Sequence, residues 1–170
     1  MNKKHITLSI SALVFQNLSH AAPSISSCTV ISCNDGDTCK LNCPSEGTVK
    51  VRLVGIDAPE TRGKSKKSGR QPFALEAKEF LNKKIVGQEV LLHSYSRDLY
   101  GRTLGDLVFK GKSINMDLVE NGLAECYRGK PPKEYSQSDC ISAQSKAQNS
   151  KKGIWSLENY QSPKDFRKKR

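Results

Sequence analysis

The sequence predicts an α+β fold, a small five-stranded β-barrel with helices attached. Three observations lead there. Three short β-type runs follow one another at 28–33, 37–43 and 48–56; the apolar period then switches from two to helical over 70–87; and two further strand-like runs, 88–95 and 102–109, precede a helical last third. At 170 residues the chain has room for one domain with a single core.

The N-terminus stands apart from that domain. Residues 1–21 have a short basic start, an apolar stretch from Ile6 to Phe15 and a small-residue exit at Ser19-His20-Ala21, the pattern of a secretory signal peptide. The stretch is shorter than the roughly 20 residues a membrane span needs. An exported protein is therefore expected, periplasmic or secreted, with its domain over 22–162 and a frayed basic tail over 163–170. Ile25-Ser26-Ser27-Cys28 has the residue types of a bacterial lipoprotein cleavage box, but it lies well past the apolar stretch. Lipid anchoring at Cys28 is the lesser expectation.

Within the domain, Asn34-Asp35-Gly36 joins the first two runs, and Asp-Gly between such runs signals a hairpin. The turn at Pro44-Ser45-Glu46-Gly47 leads into the third strand, completing a meander. Over 70–87 Phe73, Ala77, Phe80 and Leu81 recur at helical spacing, with Pro72 suited to a first turn and Gly87 to a close. A short helix opens at Ser113 and stops near Asn121-Gly122; a last one over 140–153 ends at Gly153, with Ile154-Trp155 as its apolar anchor.

Six cysteines follow the leader, and an even number in an exported chain reads as disulfides. Several pairings remain open on sequence; the expected one joins Cys126 to Cys140 and keeps the other four within one hairpin. No Cys-x-x-Cys pair supports zinc. Lysine and arginine outnumber acids 28 to 17, a net charge of +11, which points to a polyanionic partner, nucleic acid or an anionic membrane surface.

Three histidines, two of them in the leader, leave only His93 in the mature chain, so chemistry that needs a histidine pair is excluded. No Gly-x-Ser-x-Gly elbow or phosphate-binding glycine loop is present. Carboxylates and arginines remain. Asp35 and Asp37 flank the first hairpin turn, and Asp57 and Glu60 follow the third strand; each alone is ordinary turn chemistry. A meander, however, brings those two ends to one rim, and clustered carboxylates repel unless a cation sits among them. Oxygen donors without histidine or thiolate favour a hard ion, Ca²⁺ or Mg²⁺. An EF-hand starting at Asp35 fails, because Cys39 and Lys40 stand where a ligand and the glycine are needed. Arg52, by period two on the face of Val54 and Ile56, is expected to point toward the cavity. With Arg102 it offers fork-shaped donors for phosphate oxygens.

In order and spacing, Asp35-Gly36-Asp37-Thr38, 51–61 (VRLVGIDAPET), 98–102 (DLYGR), 121–124 (NGLA) and 153–156 (GIWS) resemble the staphylococcal nuclease (thermonuclease) family. The resemblance covers about 28–156 and implies a five-stranded oligonucleotide-binding (OB-fold) barrel with three helices. It implies Ca²⁺ held directly by Asp37, Asp57 and the main-chain carbonyl of Ala58, with Asp35 and Glu60 acting through water. It implies Arg52 and Arg102 on the scissile phosphate, Glu60 as general base, and Tyr100 and Tyr127 against the nucleotide. Two departures are visible: Ala58 stands where the best-known member has threonine, and Leu99 where it has lysine.

The expected activity is calcium-dependent, sugar-non-specific endonucleolytic cleavage of DNA and RNA by a monomer, with the basic run 61–70 steering the polyanion. The alternative is a non-catalytic OB-fold module that binds single strands by charge and stacking. Only 6% aromatic residues and four acids at the rim argue against it. A membrane-attacking cationic protein would need a long basic amphipathic helix, which is missing from the sequence pattern.

Overall fold

The computed structural model describes residues 23–61 and 69–168. The leader and most of the basic loop, including Lys64, Lys66 and Lys67, lie outside the described residues.

Strands β1 (Ser24–Cys33), β2 (Thr38–Cys43) and β3 (Gly47–Leu53) form the antiparallel meander. In β2 and β3, Leu41, Val49, Val51 and Leu53 alternate inward against exposed Lys40, Asn42 and Lys50, the period-two signature of a sheet with one wet face. β1 begins earlier than predicted, because Ser24, Ser26 and Ser27 blur its apolar period while their backbone still pairs with a later strand, at Ser94, Leu92 and Leu91.

The third run also divides. β3 ends at Leu53, Gly55 takes a left-handed φ of 76°, and β4 (Ile56–Asp57) leaves the barrel. A side chain at Gly55 would also collide with the Tyr135 ring. β4 pairs with β8 (Glu125–Cys126), which joins Asp57 to Glu125 in register. The barrel closes through β5 (Glu89–Arg97) and β6 (Thr103–Phe109): β5 pairs with both β1 and β6, and β6 runs parallel to β3. β7 (Lys112–Ser113) continues from β6.

Helix α1 (Ala74–Ile85) buries Ala74, Ala77, Leu81 and Ile85 at helical spacing. In α2 (Ile114–Glu120) the predicted cap is present, Ser113 Oγ accepting from the Met116 amide at 3.1 Å. α3 (Ser138–Asn149) is followed by a single 3₁₀ turn, Gly153–Ser156, that buries Ile154. Beyond the three expected helices, residues Pro163–Lys168 form a fourth, α4, where a frayed tail was expected.

The fully buried Asn115 of α2 braces the closure: Nδ2 donates to the Val54 and Gly105 carbonyls (2.9 and 3.2 Å), and Oδ1 accepts from the Leu107 amide (3.3 Å). Disulfides join Cys28 to Cys43 and Cys33 to Cys39 within the first hairpin, and Cys126 to Cys140 between β8 and α3, matching the expectation. Among the described residues no helix is long and apolar enough to cross a membrane.

Candidate active site

The hairpin turn and the β3–β4 corner meet because Gly36 allows them to. A Cβ at Gly36 would stand 2.7 Å from both the Ala58 and Ala77 methyl groups, so only glycine lets the turn lie against α1 and the corner. The backbone then locks: the Leu53 amide donates to the Asp37 carbonyl at 2.8 Å, and Asp37 Oδ2 accepts from the Ala58 amide at 2.9 Å. Asp35 Oδ1 accepts from the Asp37 amide, as an Asx turn does.

Arg52 sits between these acids. Its Nη2 donates to Asp57 Oδ1 at 2.9 Å and to the Ile56 carbonyl at 3.3 Å, while Nη1 contacts the Asp37 carboxylate. Arg52 alternates with the core residues Val51 and Leu53, lies opposite Thr38 and faces the cleft that Val54 and Ile56 also line. Only 13% of its side chain is exposed.

Electrostatics follow from this burial. Desolvation works to raise Asp37, but the Arg52 charge, aided by the Ala58 hydrogen bond, outweighs it and holds the carboxyl below its ordinary value. Asp35 lacks such a close cation; burial, then the charge of Asp37, pushes it up to about 6. Burial opposes the charge on Arg52, yet Asp37 and Asp57 together shift its pKa upward.

Glu60 stands beyond the corner, positioned by Gln71, whose Oε1 accepts from the Glu60 amide (2.9 Å) and whose own amide donates to the Glu60 carbonyl (3.0 Å). Arg102 comes from the far side, where β6 begins. Asp98 holds it: Oδ2 accepts from Nε at 2.7 Å, and Oδ1 caps the turn by accepting from the Tyr100 and Arg102 amides. Burial would raise Asp98, but these bonds keep it below the usual carboxylate range.

A cleft of about 560 Å³ connects these groups, lined by Asp35, Asp37, Arg52, Ala58, Glu60 and Arg102 with Tyr100 and Tyr127 at its flanks. Tyr100 is almost wholly exposed at the hairpin tip, its ring 5.5 Å from the Arg102 guanidinium carbon, and Tyr127 is partly exposed. Asp57 is not on the wall; it lies beneath, 1% exposed, bonded to Arg52 and to Arg167 of α4. Leu99, beside Tyr100, is fully exposed.

The donor set is all oxygen, which suits a hard divalent ion. Among the described residues no three acid, histidine or cysteine side chains group tightly enough to ligate one ion. A positive group already satisfies these acids in the form of Arg52 and Arg167.

Sequence reasoning missed three supports. Asp98 lay inside the quoted 98–102 run, where an acid two and four residues before backbone amides in a Tyr-Gly turn is a readable Asx signal. Gln71 and Arg167 carry no local signal at all, since their partners are distant in sequence.

Residues 50–157 match the model of the staphylococcal nuclease homologue family. An uncharacterized endonuclease of Haemophilus influenzae is 33% identical over 171 residues, covering 99% of this chain and 88% of that protein. A probable endonuclease LCL3 of Eremothecium gossypii is 33% identical over 128 residues, and Endonuclease YhcR of Bacillus subtilis 34% identical over 131. These matches cover 72% and 71% of the chain but only 46% and 11% of the two relatives, so the chain spans less than half the length of either. The hairpin acids, the arginine-bearing third strand and the Asp-x-Tyr-Gly-Arg turn thus come together in a barrel whose sequence places the chain in the staphylococcal nuclease homologue family.

Proposed function

We propose that the chain is an exported, calcium-dependent endonuclease that hydrolyses phosphodiester bonds of DNA and RNA without regard to the sugar, acting as a monomer. The observation that carries this reading is the convergence of Asp37, Arg52, Glu60 and Arg102, from four separate segments, on one cleft above buried Asp57. Three disulfides are compatible with an oxidising compartment, and the net charge of +11 with a polyanionic substrate.

Asp37, Asp57 and the Ala58 carbonyl would hold the Ca²⁺ directly, with Asp35 and Glu60 reaching it through water. The bound ion would supply Lewis acidity and a template for phosphate oxygens. Glu60, partly exposed and fixed through its backbone by Gln71, would take the proton of the attacking water. Arg52 and Arg102 would bind the non-bridging oxygens from two sides and offset the charge that builds on phosphorus in the transition state. Tyr100 and Tyr127 offer rings against which bases can stack, contacts that read neither sequence nor sugar.

The test is digestion of DNA and of RNA by the purified mature chain in Ca²⁺ and in chelator, beside Glu60→Gln. Cleavage that needs Ca²⁺ and falls sharply in the variant supports the reading. Binding of single strands without cleavage, equal with and without chelator, would instead identify a binding module.

A further inference from the structure

Arg167 occupies the oxygens that the proposed chemistry requires. It comes from α4, 110 residues after Asp57, and donates from Nη2 to Asp57 Oδ2 (2.7 Å) and from Nη1 to Asp57 Oδ1 (3.0 Å) and Glu60 Oε1 (2.5 Å). A carboxylate oxygen has two lone pairs. Asp57 Oδ1 already accepts from Arg52 and from Arg167, so it is full, and Oδ2 has one site left. An ion bound through Asp57 would stand beside the Arg167 guanidinium, cation against cation, and would draw on the same Asp57 and Glu60 carboxylates that Arg167 holds, so the two compete for the site.

The two arginines are not equally able to leave. Arg52 is seated in β3, 13% exposed and also bonded to the Ile56 carbonyl. Arg167 is 33% exposed on a helix of six residues. That helix is anchored at its start, where Pro163 is buried and Ser162 Oγ caps the Asp165 amide at 3.1 Å. Its last turn is held by the Arg167 ion pairs together with half-buried Phe166.

We propose that α4 is a tethered plug: Arg167 and the divalent cation compete for Asp57 and Glu60, so cation binding undocks the last turn of α4. The inference rests on the metal-facing roles given above to Asp57 and Glu60. An internal competitor weakens apparent affinity by the fraction of time the site is free, and a plug docked about nine-tenths of the time weakens it about tenfold. The device would set the cation concentration at which the site is filled.

The experiment uses the full mature chain. Ca²⁺ affinity is measured by competition against Tb³⁺ luminescence for the wild type, Arg167→Gln and Arg167→Lys, and amide exchange over 159–168 is followed with and without saturating Ca²⁺. The expected results are about tenfold tighter Ca²⁺ binding in Arg167→Gln, a smaller gain in Arg167→Lys, and faster wild-type exchange in α4 when Ca²⁺ is present. Equal affinity in wild type and Arg167→Gln, or α4 exchange unmoved at saturation, overturns the plug while leaving the nuclease reading intact. Absence of Ca²⁺ binding in wild type and variant alike removes the calcium reading and the plug together.

Discussion

Arg52 keeps a charge inside the rim because two carboxylates are buried with it, and its fork reaches both at once. An ammonium in its place has no rigid pair of donors. Arg52→Lys is therefore expected to lose roughly a hundredfold or more in cleavage rate while the circular-dichroism melt stays cooperative. Near-native turnover would remove Arg52 from the phosphate. Asp98 acts one step back: Asp98→Asn keeps an oxygen for the Tyr100 and Arg102 amides but gives up the ion pair that orients Arg102. Its turnover should fall with little change in Ca²⁺ affinity, a split that a purely structural role would not produce. Because the Asp98 pKa is depressed in the fold, its stabilisation is present above the ordinary aspartate value near pH 4 and lost as pH falls below it. The melting-temperature difference between wild type and Asp98→Asn should shrink over that acid window.

At the scale of elements, a polar bolt holds the barrel shut and a covalent one fixes the corner beside it. Asn115→Ala strands the Leu107 amide and the Val54 carbonyl in a dry site and leaves the Gly105 carbonyl with the Val54 amide alone, and is expected to lower stability by about 2–4 kcal/mol in denaturant titrations. The Cys126–Cys140 bridge fixes β8, and through it β4 with Asp57, onto α3. Replacing both cysteines by serine should cost about 3 kcal/mol and loosen the corner, read as a lower melting temperature. The elements themselves were largely legible: the strand alternation of 37–43, the Ser113 cap and the helical spacing of Ala77 and Leu81 are local patterns that a few neighbouring residues suffice to write. The break at Gly55 was not. The run 51–56 reads as one continuous strand, and only the pairing of Ile56 with Cys126 shows where the chain changes sheets.

For the whole molecule, the net charge of +11 makes nucleic-acid association a counterion-release process. Binding measured in chelator should weaken by about tenfold or more between 50 and 200 mM salt, by nearly the same factor for DNA and RNA. A flat salt profile would show that the basic excess has no part in association. The acids and arginines of the cleft were legible as residues because runs such as 35–38, 51–61 and 98–102 keep chemistry and turn geometry within a few positions. That information read out the barrel class and named the candidate residues of the cleft, while several disulfide pairings stayed open until the fold brought the cysteines together. The sequence was silent on which cation faces which acid. Arg167 reaches Asp57 and Glu60 across 110 and 107 residues, with no period or turn to announce it. Local patterns encode elements because neighbouring side chains share a backbone geometry, whereas a long-range ion pair exists only once barrel closure and the docking of α4 have brought the two charges together.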